Sequence, residues 1–570
     1  MHDESAFILT HPRIYTGDPG RPWVQAMGVE AGRITATGTE SEVRGEVGPN
    51  VAVVALDGGM VMPALVDVHA HLGLGGGQLA FELPILPSDN VAQICAKIRS
   101  WVPDLKEGEW IVGGIVGSTV MDDLGLEDLR ALDEASQGHP LLLRDDSMHN
   151  RWVNSKALEL TGVAADTPDP EGGTYVRDSE GNLTGVLQEL AGAMAEQAIT
   201  DSQENLSQRH DTAILTAVKA MNSFGVTSVQ DAATMTYALE SLNRLDARGE
   251  LSARVVASMP SRTFIEPGIT GSELYEVGNV NVSEHVMPTF AKYVLDGVPM
   301  TRTSAMLNPY RCHHHDQDED FTGESLWSRE ELAKSLDELV RRGLHAKLHA
   351  TGDAAVRIVL DAVEKVRKDH GDGPLFHIAH TEYIAEADVP RFAALGVVAD
   401  ASPYLWFPSV IQESIAKQIP AETFDRSWPL RDVVEAGGIV AGGSDWPCAA
   451  PTPDPWTGLG ALVTRSNPDP GTPGQLNPGQ ALGLEGAIAA FTTGPARAMG
   501  LHDTTGRLVP GLSADFIAID LDLFAVEPTA IHATRVLNTY FEGRLVYSAE
   551  GPIAHEARVT ESRSATPVAP

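Results

Sequence analysis

Basic residues are scarce in this chain: 41 Lys plus Arg stand against 78 Asp plus Glu in 570 residues, a formal net charge of −37. Such a surface repels phosphate backbones and anionic headgroups and has few cations with which to release counterions, so neither nucleic acid nor a membrane surface is expected as a partner. Cysteine is scarcer still. Cys95, Cys312 and Cys448 lie far apart and form no CxxC pair, which argues against a disulfide framework or a thiolate zinc site. No apolar run reaches the roughly 18–20 residues that span a bilayer. The opening segment MHDESAFILTHPRIYTG has no basic stretch followed by an apolar one, the pattern of a secretory leader, so a cytoplasmic protein is expected. The oligomeric state is not legible, and a homo-oligomer stays open.

What is present is a globular composition, 43% hydrophobic, in a chain long enough for one large domain with an attachment. The first 60 residues read as short strands (AFILTHPRIYTG, VQAMGVEAGRITATG, VAVVALDGG) punctuated by Gly and Asp. The far end reads the same way in SADFIAIDLD and LNTYFEGRLVYSAEG. If the two ends meet, they form one small β-domain from discontinuous sequence. Between them, apolar strands alternate with amphipathic stretches. The strands are ALVDVHAHL, GVTSVQDA, ARVVASM, FAKYVLDG, HAKLHAT, LFHIAHT, GVVADASP and GIVAGGSD. In SREELAKSLDELVRRG the pattern predicts a helix with Ser328 as N-cap, Glu331 completing a capping box and Gly343 as the stop. Eight such strands with helices between them suggest an α/β fold, a (β/α)8 TIM barrel. Residues 73 to about 220 are too long for a simple crossover and read as an inserted subdomain over the barrel mouth.

Polar residues interrupt the apolar strands near their ends: His69, His71, Lys292, His349, His380 and Asp445. In a barrel these C-terminal ends open on one face, where active sites are built. A spacing of two puts His69 and His71 on one side of a strand, and two imidazoles there can bind one divalent ion. The other residues have the chemistry to complete two metal sites. Lys292 is unusual in its own right, because a buried ammonium is costly unless it is paired or modified.

Several segments carry a resemblance: VMPALVDVHAHL, MHNRWVNSKALELTGV, TPDPEGGTYVRDSEGNLTGVL, KYVLDGVPMTRTSAML, LHATGDAAVRIVLDAVE, HIAHTEYIAEADVPRFAALGV, GGSDWP and GRLVPGLSADFIAID. Together they resemble the YtcJ-like branch of the amidohydrolase superfamily, the group that includes N-substituted formamide deformylases. That resemblance implies a barrel at 63–507, a β-sandwich from 1–62 plus 508–552, and leaves a frayed tail at 553–570. It also implies a centre of two divalent metal ions, zinc first among them. His69 and His71 match the HxH ligands, His349 and His380 those of the second metal, and Asp445 the aspartate of the last strand. Lys292 matches the lysine that is N6-carboxylated to bridge the two ions.

The implied activity is metal-dependent hydrolysis of a C–N bond in a small amide-type substrate (N-formyl, N-acyl or cyclic amide). A metal-bound hydroxide would attack, and Asp445 would move the proton. A deaminase or an ester or carbamate hydrolase is the alternative on the same centre, and a non-catalytic binding protein the third reading. His149 and Asn154 are candidate substrate-binding donors in MHNRWVNS, and Trp406 in DASPYLWFP a candidate aromatic pocket wall. Asp67 and Asp353 are expected to support the ligands from behind. Ala64 and Ala379 stand where relatives usually carry Gly and Glu, and RCHHHDQDED, with His313–His315, reads as an exposed loop insertion.

Overall fold

Eight apolar segments become the parallel strands of a barrel, because strands buried on both faces need apolar residues at successive positions rather than at alternate ones. They are β1 (Leu65–Ala70), β2 (Val226–Asp231), β3 (Arg254–Pro260), β4 (Val286–Val294), β5 (His345–Ala350), β6 (Phe376–His380), β7 (Val397–Ala401) and β8 (Ile439–Gly442). Each pairs in parallel with the next. The seam between β8 and β1 is closed just beyond the strand ends. The Asp445 N–H donates to the His69 carbonyl at 2.7 Å, and the His71 N–H to the Trp446 carbonyl at 2.8 Å. The computed structural model describes residues 6–121, 124–145, 150–170, 173–263, 268–311, 320–448, 450 and 452–551. The expected tail at 553–570, His149 and the His313–His315 loop lie outside the described residues.

Helices pack on the outside of the barrel as their sequences dictate. The helix Arg329–Arg341 is capped by Ser328, whose side chain accepts the Glu331 N–H while Glu331 reaches back, and it buries Leu332, Leu336 and Leu339. The helix Leu72–Phe81 follows β1 directly and lies against Leu206–Ser223. That closeness requires glycine: a Cβ at Gly76 would sit 1.9 Å from the Ala213 carbonyl oxygen.

Two more sheets flank the barrel. The first is eight-stranded and joins the chain ends, with Met60–Pro63 antiparallel to Phe516–Ile519. Leu9, Ile14, Met27, Val61 and Phe516 form part of its own core. The fold is thus a (β/α)8 barrel with a small β-sandwich assembled from both ends. The second sheet has six strands, drawn from Leu83–Glu189 between β1 and β2, over a separate core that includes Ile94, Leu132 and Trp152. Among the described residues no helix is long and apolar enough to cross a membrane.

A polar clasp fastens the barrel's lower end to the terminal sheet. Arg254, at the start of β3, donates to Ser513 Oγ at 2.9 Å and to Glu542 Oε1 at 2.6 Å, and also pairs with Asp515. His285, just before β4, lies 2.6 Å from Asp246 Oδ1 and 3.3 Å from Glu542 Oε1. Burial works against a charged His285, but its bonds to Glu542 and Asp246 outweigh that and hold its pKa above the ordinary value. Against their own burial, bonds to Ser283 and then His285 hold Asp246 below its ordinary value, and the bond to His285 with the nearby Arg254 does the same for Glu542. A raised histidine stabilises below its unfolded pKa and loses that contribution as pH climbs through the folded one; depressed carboxylates do the reverse on the acid side. The clasp is therefore strongest between about pH 4.5 and 6.5. His285→Gln is expected to cost roughly 1.5–3 kcal/mol in that window. The deficit in thermal midpoint should narrow as pH rises; a deficit that grows toward alkaline pH would contradict the assignment.

Candidate metal centre

The seam that closes the barrel also builds the site. Asp67 in β1 accepts the His69 N–H at 2.9 Å and the Ser444 N–H at 3.1 Å, so one carboxylate fixes the backbone beside both His69 and Asp445. Burial pushes Asp67 up to about 7 against those same bonds. Two of the converging residues sit at backbone angles that non-glycine residues seldom adopt, His380 at φ 73° and Asp445 at φ 56°. Strain of this kind persists where the surrounding structure over-determines it, and it clusters at functional sites.

His69, His71 and Asp445 place one ligand atom each within 4.8 Å of one another. The Nε2 atoms of His69 and His71 stand 3.3 and 3.4 Å from the same oxygen, Asp445 Oδ1. These distances are long for made N–H···O hydrogen bonds. They match the roughly 3.4 Å that separates ligand atoms placed about 2.1 Å from one tetrahedral ion. His380 Nδ1 is 3.8 Å from Asp445 Oδ2, and Lys292 Nζ is 3.5 Å from His69 Nε2. The His349 ring centroid lies 4.5 Å from that of His380, but its Nε2 is 3.1 Å from the Gly297 carbonyl oxygen. All six residues predicted from strand ends therefore gather at one face, His349 at the rim. Burial holds His69 and His380 well below the ordinary histidine pKa, with neighbouring cationic groups adding to the effect. Neutral imidazole is the form that binds metal. Burial, then the nearby Lys347, pushes Lys292 down to about 8. The residues present fit a divalent ion.

Glu284, His285 and Glu542 make a second group of the same size. There His285 and Glu542 are already engaged by Asp246 and Arg254, so the donors are committed to the clasp.

Three groups at the site escaped the sequence reading. Lys347 in β5 is fully buried and pairs with Asp400 in β7 while donating to the Val68 carbonyl at 2.8 Å. Asp296, after β4, accepts the N–H groups of Thr351, Gly352 and Ala305 at 3.0, 2.9 and 3.0 Å and lies 3.8 Å from His349 Nε2. Each carried the signal used for Lys292, a charge in or beside an apolar strand.

One expected substrate contact is committed elsewhere. Asn154 caps the helix Ser155–Thr161: its Oδ1 accepts from Ala157 and Leu141, and its Nδ2 donates to Ser136 Oγ and the His139 carbonyl. Every polar atom of that side chain is spent on local structure. Trp406 is fully buried among the residues of the main core, 6.4 Å from the Trp428 ring. Asp353 opens the helix Asp353–His370 and accepts the Leu307 N–H at 2.7 Å, tying down the segment that follows β4. Burial raises the Cys448 thiol, and the carboxylate of Asp445 and that of Asp145, at the end of Leu141–Asp145, add to that.

The amidohydrolase family model matches residues 52–547. Over 95% of its length the chain is 26% identical to an N-substituted formamide deformylase of Arthrobacter pascens, covering 98% of that protein. It is also 26% identical to the putative amidohydrolase YtcJ of Bacillus subtilis (strain 168), over 92% of this chain and 96% of that one. Among solved structures, an uncharacterized metal-dependent hydrolase from Pyrococcus horikoshii OT3 superposes with a TM-score of 0.73 at 23% identity, covering 92% of this chain and 99% of that one. This last likeness concerns the fold.

Proposed function

The chain belongs to the amidohydrolase family, in its YtcJ-like branch, and we infer from that membership and from its metal-ligand cluster that it is a metal-dependent hydrolase of non-peptide C–N bonds in amide-type substrates. The observation that carries the reading is the convergence of His69, His71 and Asp445 at the barrel mouth.

His69, His71 and Asp445 would hold one divalent ion; His380, His349 and a carboxylated Lys292 complete the set for a second. Carboxylation turns the lysine into an anionic oxygen ligand, and it starts from the neutral amine that burial favours at Lys292. Imidazole nitrogens with carboxylate-type oxygens suit zinc. When bound, such ions polarise a substrate carbonyl and lower the pKa of coordinated water to about 7. The remaining work falls to the chain. Asp445, at the mouth beside His69 and His71, would take up the proton and return it to the departing nitrogen, so that the amine leaves uncharged. The protein acts in the cytoplasm on a small molecule, its −37 net charge disfavouring polyanions.

The similarity to a formamide deformylase makes N-formyl and N-acyl amines the substrates to try first. Elemental analysis of the purified protein, joined to a screen that measures amine and ammonia release separately, tests the reading. Bound divalent metal with amine release is expected, abolished by chelation and restored by added metal. Ammonia release without amine would redirect the assignment to deamination, and full turnover by metal-stripped protein would overturn it.

A further inference from the structure

His69 has two nitrogens in different company. Its Nε2 faces Asp445 and Lys292, at 3.3 and 3.5 Å. Its Nδ1, fully enclosed and without a hydrogen-bond partner, has Asp400 Oδ2 in front of it at 3.5 Å. Asp400 is itself fully buried, and its other oxygen, Oδ1, has no partner. Buried carboxylates of this kind need a counter-charge, and Lys347 supplies it. The same ammonium donates to the carbonyl of Val68, the residue before His69. Lys347 in β5 thus ties β7 to β1 directly beside a residue of the cluster. A neutral imidazole that gives one nitrogen to a metal carries its proton on the other, and an acceptor facing that proton fixes the ring.

We propose that Asp400 is a positioning residue for His69: it faces the Nδ1–H and keeps Nε2 turned toward the cluster, and Lys347 holds Asp400 in register as a neutral, buried pair. The proposal rests on the metal reading given above, but it is separable from it. A lone strut between strands would require no acceptor opposite Nδ1. The pair has a net charge of zero, so it orients the ring without adding an anion that would compete for the metal.

The experiment measures the Co2+ dissociation constant by chelator competition, with the Co2+ absorption spectrum, on the full chain, alongside thermal unfolding of the metal-free protein. Removing one partner alone strands the other charge, so the main variant is the apolar pair Lys347→Met with Asp400→Leu, which leaves no orphan charge. Metal binding is expected to weaken roughly 10- to 100-fold, with an altered absorption band and a near-unchanged metal-free thermal midpoint. An unchanged dissociation constant and spectrum, with only the thermal midpoint moved, would reduce the pair to a structural strut and overturn the proposal. If that double variant fails to fold, the pair Lys347→Gln with Asp400→Ala decides, because it keeps a donor for the Val68 carbonyl, removes the acceptor facing Nδ1 and leaves no buried charge: at least a severalfold weaker dissociation constant supports the role, and a wild-type value overturns it. Wild-type protein that binds no Co2+ would overturn the metal reading itself, whereas wild-type binding with an unaffected double variant sinks the positioning role alone.

Discussion

Asp445→Asn is expected to lower kcat about 10²- to 10⁴-fold, the usual contribution of a positioned proton-transfer group, while leaving most of the metal bound. The substitution suits the question because it changes little else. Asp445 sits at φ 56°, a conformation that Asn tolerates as readily as Asp. Its backbone N–H, which closes the barrel seam on the His69 carbonyl, is untouched. The amide keeps an oxygen where Oδ1 faces His69 and His71. What it loses is the ability to take a proton. Steady-state kinetics together with elemental analysis separate the two effects: a wild-type kcat would remove Asp445 from proton transfer, and a metal-free variant would make it primarily a ligand.

The second large effect is expected from Gly443→Ala, two residues away. A Cβ there would stand 2.5 Å from the His69 nitrogen, 2.7 Å from His69 Cβ and 3.0 Å from Asp67 Oδ1. Two of those contacts are with the residue that anchors the cluster, and the nitrogen is backbone that cannot swing aside. The strand ends must part, so the Asp67 bonds to His69 and Ser444 lengthen or break. Overpacking of this kind costs typically 1–3 kcal/mol, and displacement of supporting groups weakens metal binding roughly 10- to 100-fold. Thermal unfolding of the metal-free protein and a metal titration check both. Wild-type values in both would mean that the seam does not position His69.

The barrel was legible in the sequence because its strands are continuous apolar runs, a pattern that few other structures require. The site was legible for the same reason inverted: His69, Lys292, His349 and His380 interrupt such runs, and desolvation makes an interruption expensive unless something uses it. By that logic Lys347 in HAKLHAT and Asp400 in GVVADASP were equally visible. They were passed over because each looks like an isolated oddity until β5 and β7 are brought together, and pairing across strands is not written locally. Asn154 shows the opposite error. Asn followed by SKALELTG has the form of a helix N-cap, a local signal that outweighs the functional reading once the four bonds of its side chain are seen. Trp406 illustrates a third point: an aromatic residue in a loop segment is as fit for the core as for a pocket, and a neighbour such as Trp428 is not written locally.

The terminal sheet imposes an order of events on biosynthesis. Met60–Pro63 leaves the ribosome early, yet its antiparallel partner, Phe516–Ile519, emerges roughly 450 residues later, about 20–90 s at bacterial or eukaryotic elongation speeds. Throughout that interval the nascent chain carries an unsatisfied strand edge, the kind of surface on which neighbouring polypeptides add by β-pairing. Stalled or prematurely terminated products ending before residue 516 would keep that edge open for good, so insoluble fragments, rather than soluble barrels, are the expected by-product of incomplete translation.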